Sequence, residues 1–166
     1  MALALTSFHI ALMVIAAAIF IGAAVNDACF YRIPNYMCAL LLVLFPILVL
    51  TAPHSIDWHQ NVMVFLLVAA SGFAMFLGKL VGAGDIKLLS VAALWAGPHL
   101  IAVLIIVTAI AGGGVSLAMA IITYRRQHAA GEKAALAHVP IPYGIAIATG
   151  GLAMLAMMAQ PILLPG

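Results

Sequence analysis

Two of the four acidic side chains in this sequence stand where they could work as a pair. Asp27 follows the first long apolar run, and Asp85 opens a later one, directly after Gly82 and Gly84. Because a carboxylate beside a lipid-embedded segment is costly, such a residue is a functional candidate by default. Asp27 and Asp85 are therefore the first residues to which chemistry can be assigned.

Each of these acids also has a purely structural explanation. Asp85 could be an N-cap that accepts a backbone N–H at the start of a helix. Asp27, which we place just past a helix C-terminus, could pair partly with Arg32. Glycines before Asp85 are not explained by a cap, since they permit positive φ and the close approach of another backbone. The remaining acids, Asp57 and Glu132, lie in polar connections, where solvation accounts for them.

Two carboxylates held close together cannot both ionise easily, so they share a proton. One then acts as a base that activates water, and the protonated partner hydrogen-bonds the carbonyl oxygen of a peptide. This is the chemistry of aspartic proteases, and it needs neither a metal nor a covalent intermediate. Pairing of Asp27 with Asp85 would thus support peptide hydrolysis at a membrane surface.

The composition places these acids in a membrane protein. Of the 166 residues, 67% are hydrophobic and 6% are charged, whereas about a quarter of the residues of a soluble domain are charged. We therefore predict an all-α polytopic membrane protein, with residues 1–166 forming one transmembrane domain and with membrane lipid around it. The predicted spans are 4–25, 36–52, 61–78, 86–97, 99–123 and 140–160. A net charge of +2 is too small for a nucleic-acid-binding face.

Basic residues occur only around the odd-numbered connections between these spans. They are Arg32, Lys79, Lys87, Arg125, Arg126 and Lys133. By the positive-inside rule these connections face the cytoplasm, and both termini face the opposite side. Since an even number of crossings separates Asp27 from Asp85, the two acids are expected on the same, cytoplasmic side.

The fourth predicted span is unusually short. At 1.5 Å per residue it covers roughly 18 Å of a hydrocarbon core near 30 Å thick. If its end at Gly97 and Pro98 marks the outer surface, Asp85 lies on the order of 10 Å below the inner one.

Three sequence blocks, in this order, resemble the type IV prepilin peptidases over nearly the whole chain. They are Asp27 followed by Arg32-Ile33-Pro34-Asn35, the Gly-x-Gly-Asp block Gly82-Ala83-Gly84-Asp85-Ile86-Lys87-Leu88-Leu89, and Pro140-Ile141-Pro142-Tyr143-Gly144. The resemblance implies an aspartic endopeptidase of the bacterial inner membrane, with Asp27 and Asp85 as its catalytic pair. Site-shaping roles would fall to Gly82, Gly84, Lys87, Arg32, Pro34 and Asn35.

The substrate implied by this resemblance is a prepilin or pseudopilin with a basic leader and a membrane-spanning N-terminal helix, cut at the cytoplasmic face. Long family members carry a cytoplasmic region with paired C-x-x-C motifs and also methylate the new N-terminus. This sequence has two cysteines, Cys29 and Cys38, with eight residues between them. We therefore predict a peptidase without methyltransferase activity, similar to those of Flp-type, tight-adherence pilus systems.

Two other classes of function stay open at this stage. The acids could form the ion site of a proton- or cation-coupled transporter, or cap helices in a noncatalytic subunit of a pilus or secretion assembly. No metal site is expected, because the six histidines are dispersed and no two are four residues apart. No other cofactor is expected, and the oligomeric state is left open.

Overall fold

All regular structure is helical in the computed structural model, which describes residues 2–52, 56–129 and 141–163. The helices are α1 (Ala2–Phe30), α2 (Asn35–Thr51), α3 (Trp58–Leu77), α4 (Ala83–Ala129) and α5 (Tyr143–Leu163). The all-α prediction is confirmed. Three residues named above, Glu132, Lys133 and Pro140, lie outside the described residues, as do two of the six histidines.

Among the described residues, four stretches of helix are long and apolar enough to cross a membrane. They are Ser7–Phe30, Trp58–Leu77, Ala83–His128 and Tyr143–Gln160, and the shorter Asn35–Thr51 is also apolar. These lengths and compositions are typical of a multi-pass membrane protein. The fourth and fifth predicted spans are joined in one element, α4.

A kink at Gly97 divides α4 into segments 83–96 and 98–129. Gly97 has φ 56° and ψ −169°, and Pro98 follows it. The Asn61 side chain of α3 fills the space beside the kink and donates a 2.8 Å hydrogen bond to the Leu94 carbonyl. A Cβ on Gly97 would lie 2.6 Å from the Asn61 side-chain oxygen, so both backbone angle and space favour glycine. The first segment is roughly 21 Å long, again short of a hydrocarbon core near 30 Å.

Contacts between the helices bring four helix termini to one end of the bundle. Phe20 of α1 packs on Gly151 of α5, and α5 also packs along the second segment of α4. The buried Trp95 indole of α4 donates a 3.0 Å hydrogen bond to the Leu41 carbonyl of α2. As a result the end of α1 lies beside the starts of α2, α4 and α5.

Both acids lie within helices, which corrects two expectations. α1 continues one turn beyond the predicted end of the first span, so Asp27 lies in its last turn instead of after it. It ends where Tyr31 takes φ 52° and its N–H bonds the Asp27 carbonyl at 2.9 Å. α4 begins at Ala83, so Asp85 lies in its first turn and is not the N-cap.

Candidate active site

A cavity of about 550 Å³ opens where α1 ends and α4 begins. Seven of the eight residues predicted for the site line it, namely Asp27, Arg32, Asn35, Gly82, Gly84, Asp85 and Lys87. The eighth, Pro34, precedes the first residue of α2 and is not among the lining residues. Residues far apart in the chain are thus gathered around one space.

Asp27 is almost completely buried, at 4% exposure, and is held by the start of another helix. Its Oδ2 atom accepts a 2.6 Å hydrogen bond from the backbone N–H of Gly144, in the first turn of α5. The first N–H groups of a helix have no partner within the helix and attract negative charge. The Asp27 carboxylate therefore caps α5. The sequence had suggested the Arg32 side chain as its partner instead.

Gly144 is a site residue that was not predicted from the sequence. A Cβ at this position would lie 2.8 Å from both the Cβ and Oδ2 atoms of Asp27. No larger residue fits without displacing the carboxylate or the helix. A signal for this role was present, because Gly144 ends the third sequence block and follows Pro142, a typical residue at a helix start.

Asp85 is half-buried, and the two glycines before it make room for close contacts. A Cβ on Gly82 would lie 2.9 Å from Asp85 Oδ2. A Cβ on Gly84 would lie 3.4 Å from the Cβ of Ile33, in the connection between α1 and α2. In the described part of the chain Gly97 is the one glycine with positive φ. Gly82 and Gly84 thus serve close approach, and the suggested positive φ is not found.

Asp27 and Asp85 line the same cavity from different helices. Like charges in a partly buried site repel, and a single proton shared between them removes the repulsion. Lys87 lies at the rim, where its ammonium donates a 3.0 Å hydrogen bond to the Asn35 side-chain oxygen. The arrangement can hold a carboxylate and a carboxylic acid around one space that water can enter.

Other residues of the cavity wall bear on its shape. Tyr31 lines the cavity from the left-handed conformation that ends α1, and Tyr143 lines it from the start of α5.

Within ranges 2–52, 56–129 and 141–163, no group of three His, Cys, Asp or Glu side chains is arranged to hold a metal. The ionisable side chains of the residues that line the cavity are those of Asp27, Tyr31, Arg32, Asp85, Lys87 and Tyr143.

Comparison with known protein families matches residues 4–117 to the type IV leader peptidase family. This range covers well over half of the chain and includes both Asp27 and Asp85. The chain belongs to the type IV leader peptidase family. As a member it is a protease whose substrates, in general, are prepilins. No curated protein and no solved structure matches the chain.

Proposed function

We propose that this protein is an aspartic endopeptidase that removes the basic leader from type IV prepilins or pseudopilins at the cytoplasmic face of the bacterial inner membrane. The observation that carries the proposal is that Asp27 and Asp85, which belong to different helices, line one cavity. Family membership supports the same reading, since the matched residues 4–117 contain both acids.

In the proposed reaction the pair shares one proton. The ionised carboxylate takes a proton from water while the water oxygen attacks the scissile carbonyl carbon, and the protonated partner donates to the carbonyl oxygen. The tetrahedral intermediate then collapses, the C–N bond breaks, and the amine leaves with a proton from a carboxyl group. Gly144 fixes the orientation of one member of the pair through its hydrogen bond to Asp27.

The proposed membrane topology has six spans, with the two segments of α4 counted separately, and both termini on the non-cytoplasmic side. This topology is supported by the positively charged residues at the end of the bundle where the cavity opens. Arg32 and Lys87 line the cavity itself, and Lys79 immediately precedes two lining residues, Leu80 and Val81. Positive residues concentrate on the cytoplasmic side of membrane proteins, so this end is assigned to the cytoplasm.

The experiment that tests the function is substitution of each acid, with Asp57 as the matched control. Asp27→Asn and Asp85→Asn should each lower leader removal about a hundredfold or more, because each removes an acid or base from the reaction. Asp57 is exposed, contacts Gln60 and His59, and does not line the catalytic cavity, so Asp57→Asn should leave processing unchanged. The measurement is the size shift of a co-expressed prepilin on a gel, with membrane accumulation of each variant followed by immunoblot.

Other outcomes of this experiment point to other functions. Proton-coupled flux in liposomes that is lost in Asp27→Asn and Asp85→Asn would favour a transporter. Full function of both variants would favour a noncatalytic assembly subunit. The absence of methyltransferase activity stays a prediction, which the mass of the processed pilin N-terminus tests.

A further inference from the structure

A second cavity, of about 340 Å³, lies between α2 and α3. α2 packs on α1 and α4, and α3 packs on α4, so α4 forms the floor between them. One wall carries Ala39 and Leu42 of α2, the other carries Phe65 and Ala69 of α3, and Val91 belongs to the floor. We call this cavity the α2–α3 groove.

The α2–α3 groove is apolar and open to the side of the bundle. Leu42 is 45% exposed, and Ala39 is exposed as well. The hydroxyl of Ser90, a polar group in the floor, donates its hydrogen bond to the Ile86 carbonyl of its own helix at 2.7 Å. Most of the groove therefore offers no hydrogen-bonding group to a ligand. A molecule that binds in this apolar part must itself be apolar and must enter from the hydrocarbon region of the membrane.

The α2–α3 groove is continuous with the catalytic cavity. Asn35 and Lys87 line both spaces, and their hydrogen bond lies at the junction. Along α2 the groove extends from Asn35 to Leu42, which is about 10 Å or two helical turns. A chain whose cleavage site lies in the cavity and whose next segment lies in lipid would pass between these spaces at Asn35 and Lys87.

We propose that the α2–α3 groove receives one face of the first two turns of the apolar helix that follows the leader of the substrate. This inference rests on the proposed function, which supplies a substrate with such a helix. Ala39 and Ala69 are small, and small residues let two helix backbones approach closely within a membrane. The scissile peptide is then presented at the two carboxylates while the apolar helix stays in a nonpolar environment.

Ala69 and Ala70 provide a matched pair of positions for the test. Ala69 lines the groove, whereas Ala70 is its exposed neighbour on α3 and does not line it. Ala69→Phe should slow cleavage of a prepilin that the wild-type protein processes by about tenfold, since the ring fills the helix-binding space. Ala70→Phe should process it at the wild-type rate. A peptide that ends a few residues after the scissile bond should be cleaved equally by both variants.

These results separate the groove from the proposed function. If wild-type protein cleaves no prepilin, the proposed function is overturned and the role of the groove with it. If the wild-type protein cleaves the prepilin and Ala69→Phe processes it as fast as Ala70→Phe, only the groove proposal is overturned. Equal slowing of prepilin and short peptide by Ala69→Phe would likewise overturn it, because the defect would then lie in the catalytic cavity or in folding.

Cross-linking tests occupancy without catalysis. In an Asp85→Asn protein with Cys29→Ser and Cys38→Ser, Ala69→Cys should form disulfides with cysteines placed in the first two turns of the prepilin apolar segment. Reactive positions should recur every three to four residues, as for one helix face. Ala70→Cys should not form them. Absence of cross-links from Ala69→Cys, the result expected if lipid alone fills the groove, would overturn the proposal.

Discussion

The carboxylate of Asp27, in the last turn of α1, accepts a 2.6 Å hydrogen bond from the backbone N–H of Gly144, in the first turn of α5. The two residues are 117 positions apart in the chain. One contact thus satisfies an N–H group that the start of α5 leaves unpaired and also orients a candidate catalytic carboxylate. The position of Asp27 in the cavity depends on how α1 packs against α5.

Substitution of Gly144 by alanine should impair processing without unfolding the protein. The added Cβ would lie 2.8 Å from Asp27 Oδ2, so the carboxylate or α5 must shift. Because misplacement of a reacting group by about 1 Å can cost a hundredfold in rate, we expect a loss of about that size. The rate of leader removal in membranes normalised for the amount of protein measures it.

Gly113→Ala is the control for this substitution. Gly113 lies in α4 and has no neighbouring atom within 4 Å of the position that a Cβ would occupy. Alanine also has the higher helix propensity, so the variant should process prepilin as the wild type does. Equal activity of Gly144→Ala and Gly113→Ala would contradict a role of the Asp27–Gly144 contact in orientation.

Processing should have a bell-shaped dependence on pH. Activity requires one carboxylate and one carboxylic acid, so it rises from low pH as the pair loses its first proton and falls as the second leaves. Because both carboxylates line one cavity, we expect their mutual repulsion to separate these two steps. Initial rates of prepilin cleavage in detergent, measured across the titration range of the pair, test this. A flat profile in that range would count against proton sharing.

Gly97→Ala should destabilise the fold. Residue 97 has φ 56°, which costs a non-glycine residue about 1–3 kcal/mol, and the new Cβ would lie 2.6 Å from the Asn61 side-chain oxygen. We expect a lower midpoint of thermal unfolding in detergent than for the wild type. Gly114→Ala, which has open space around its Cβ position, should keep the wild-type midpoint. An unchanged midpoint in Gly97→Ala would show that the kink relaxes at little cost.

The sequence by itself was sufficient to predict a helical membrane protein and to propose Asp27 and Asp85 as candidate catalytic residues. Backbone groups in lipid must be paired within the chain, so long apolar runs form helices and their lengths can be read directly. Acidic residues are rare beside long apolar runs, and this rarity makes Asp27 and Asp85 functional candidates. The Gly-x-Gly-Asp block and its neighbours carried the resemblance to the family that residues 4–117 match.

The tertiary structure decided which group binds the Asp27 carboxylate and where α1 ends. Polar residues at the end of α1 interrupt the apolar run but not the backbone hydrogen bonds, so the helix continues to Phe30. Gly144 meets Asp27 only because α1 and α5 pack side by side, and no local pattern encodes that distance. The α2–α3 groove likewise arises from the packing of three helices. Local composition determines helices and their burial in lipid, whereas contacts between distant residues depend on the shapes of packed surfaces.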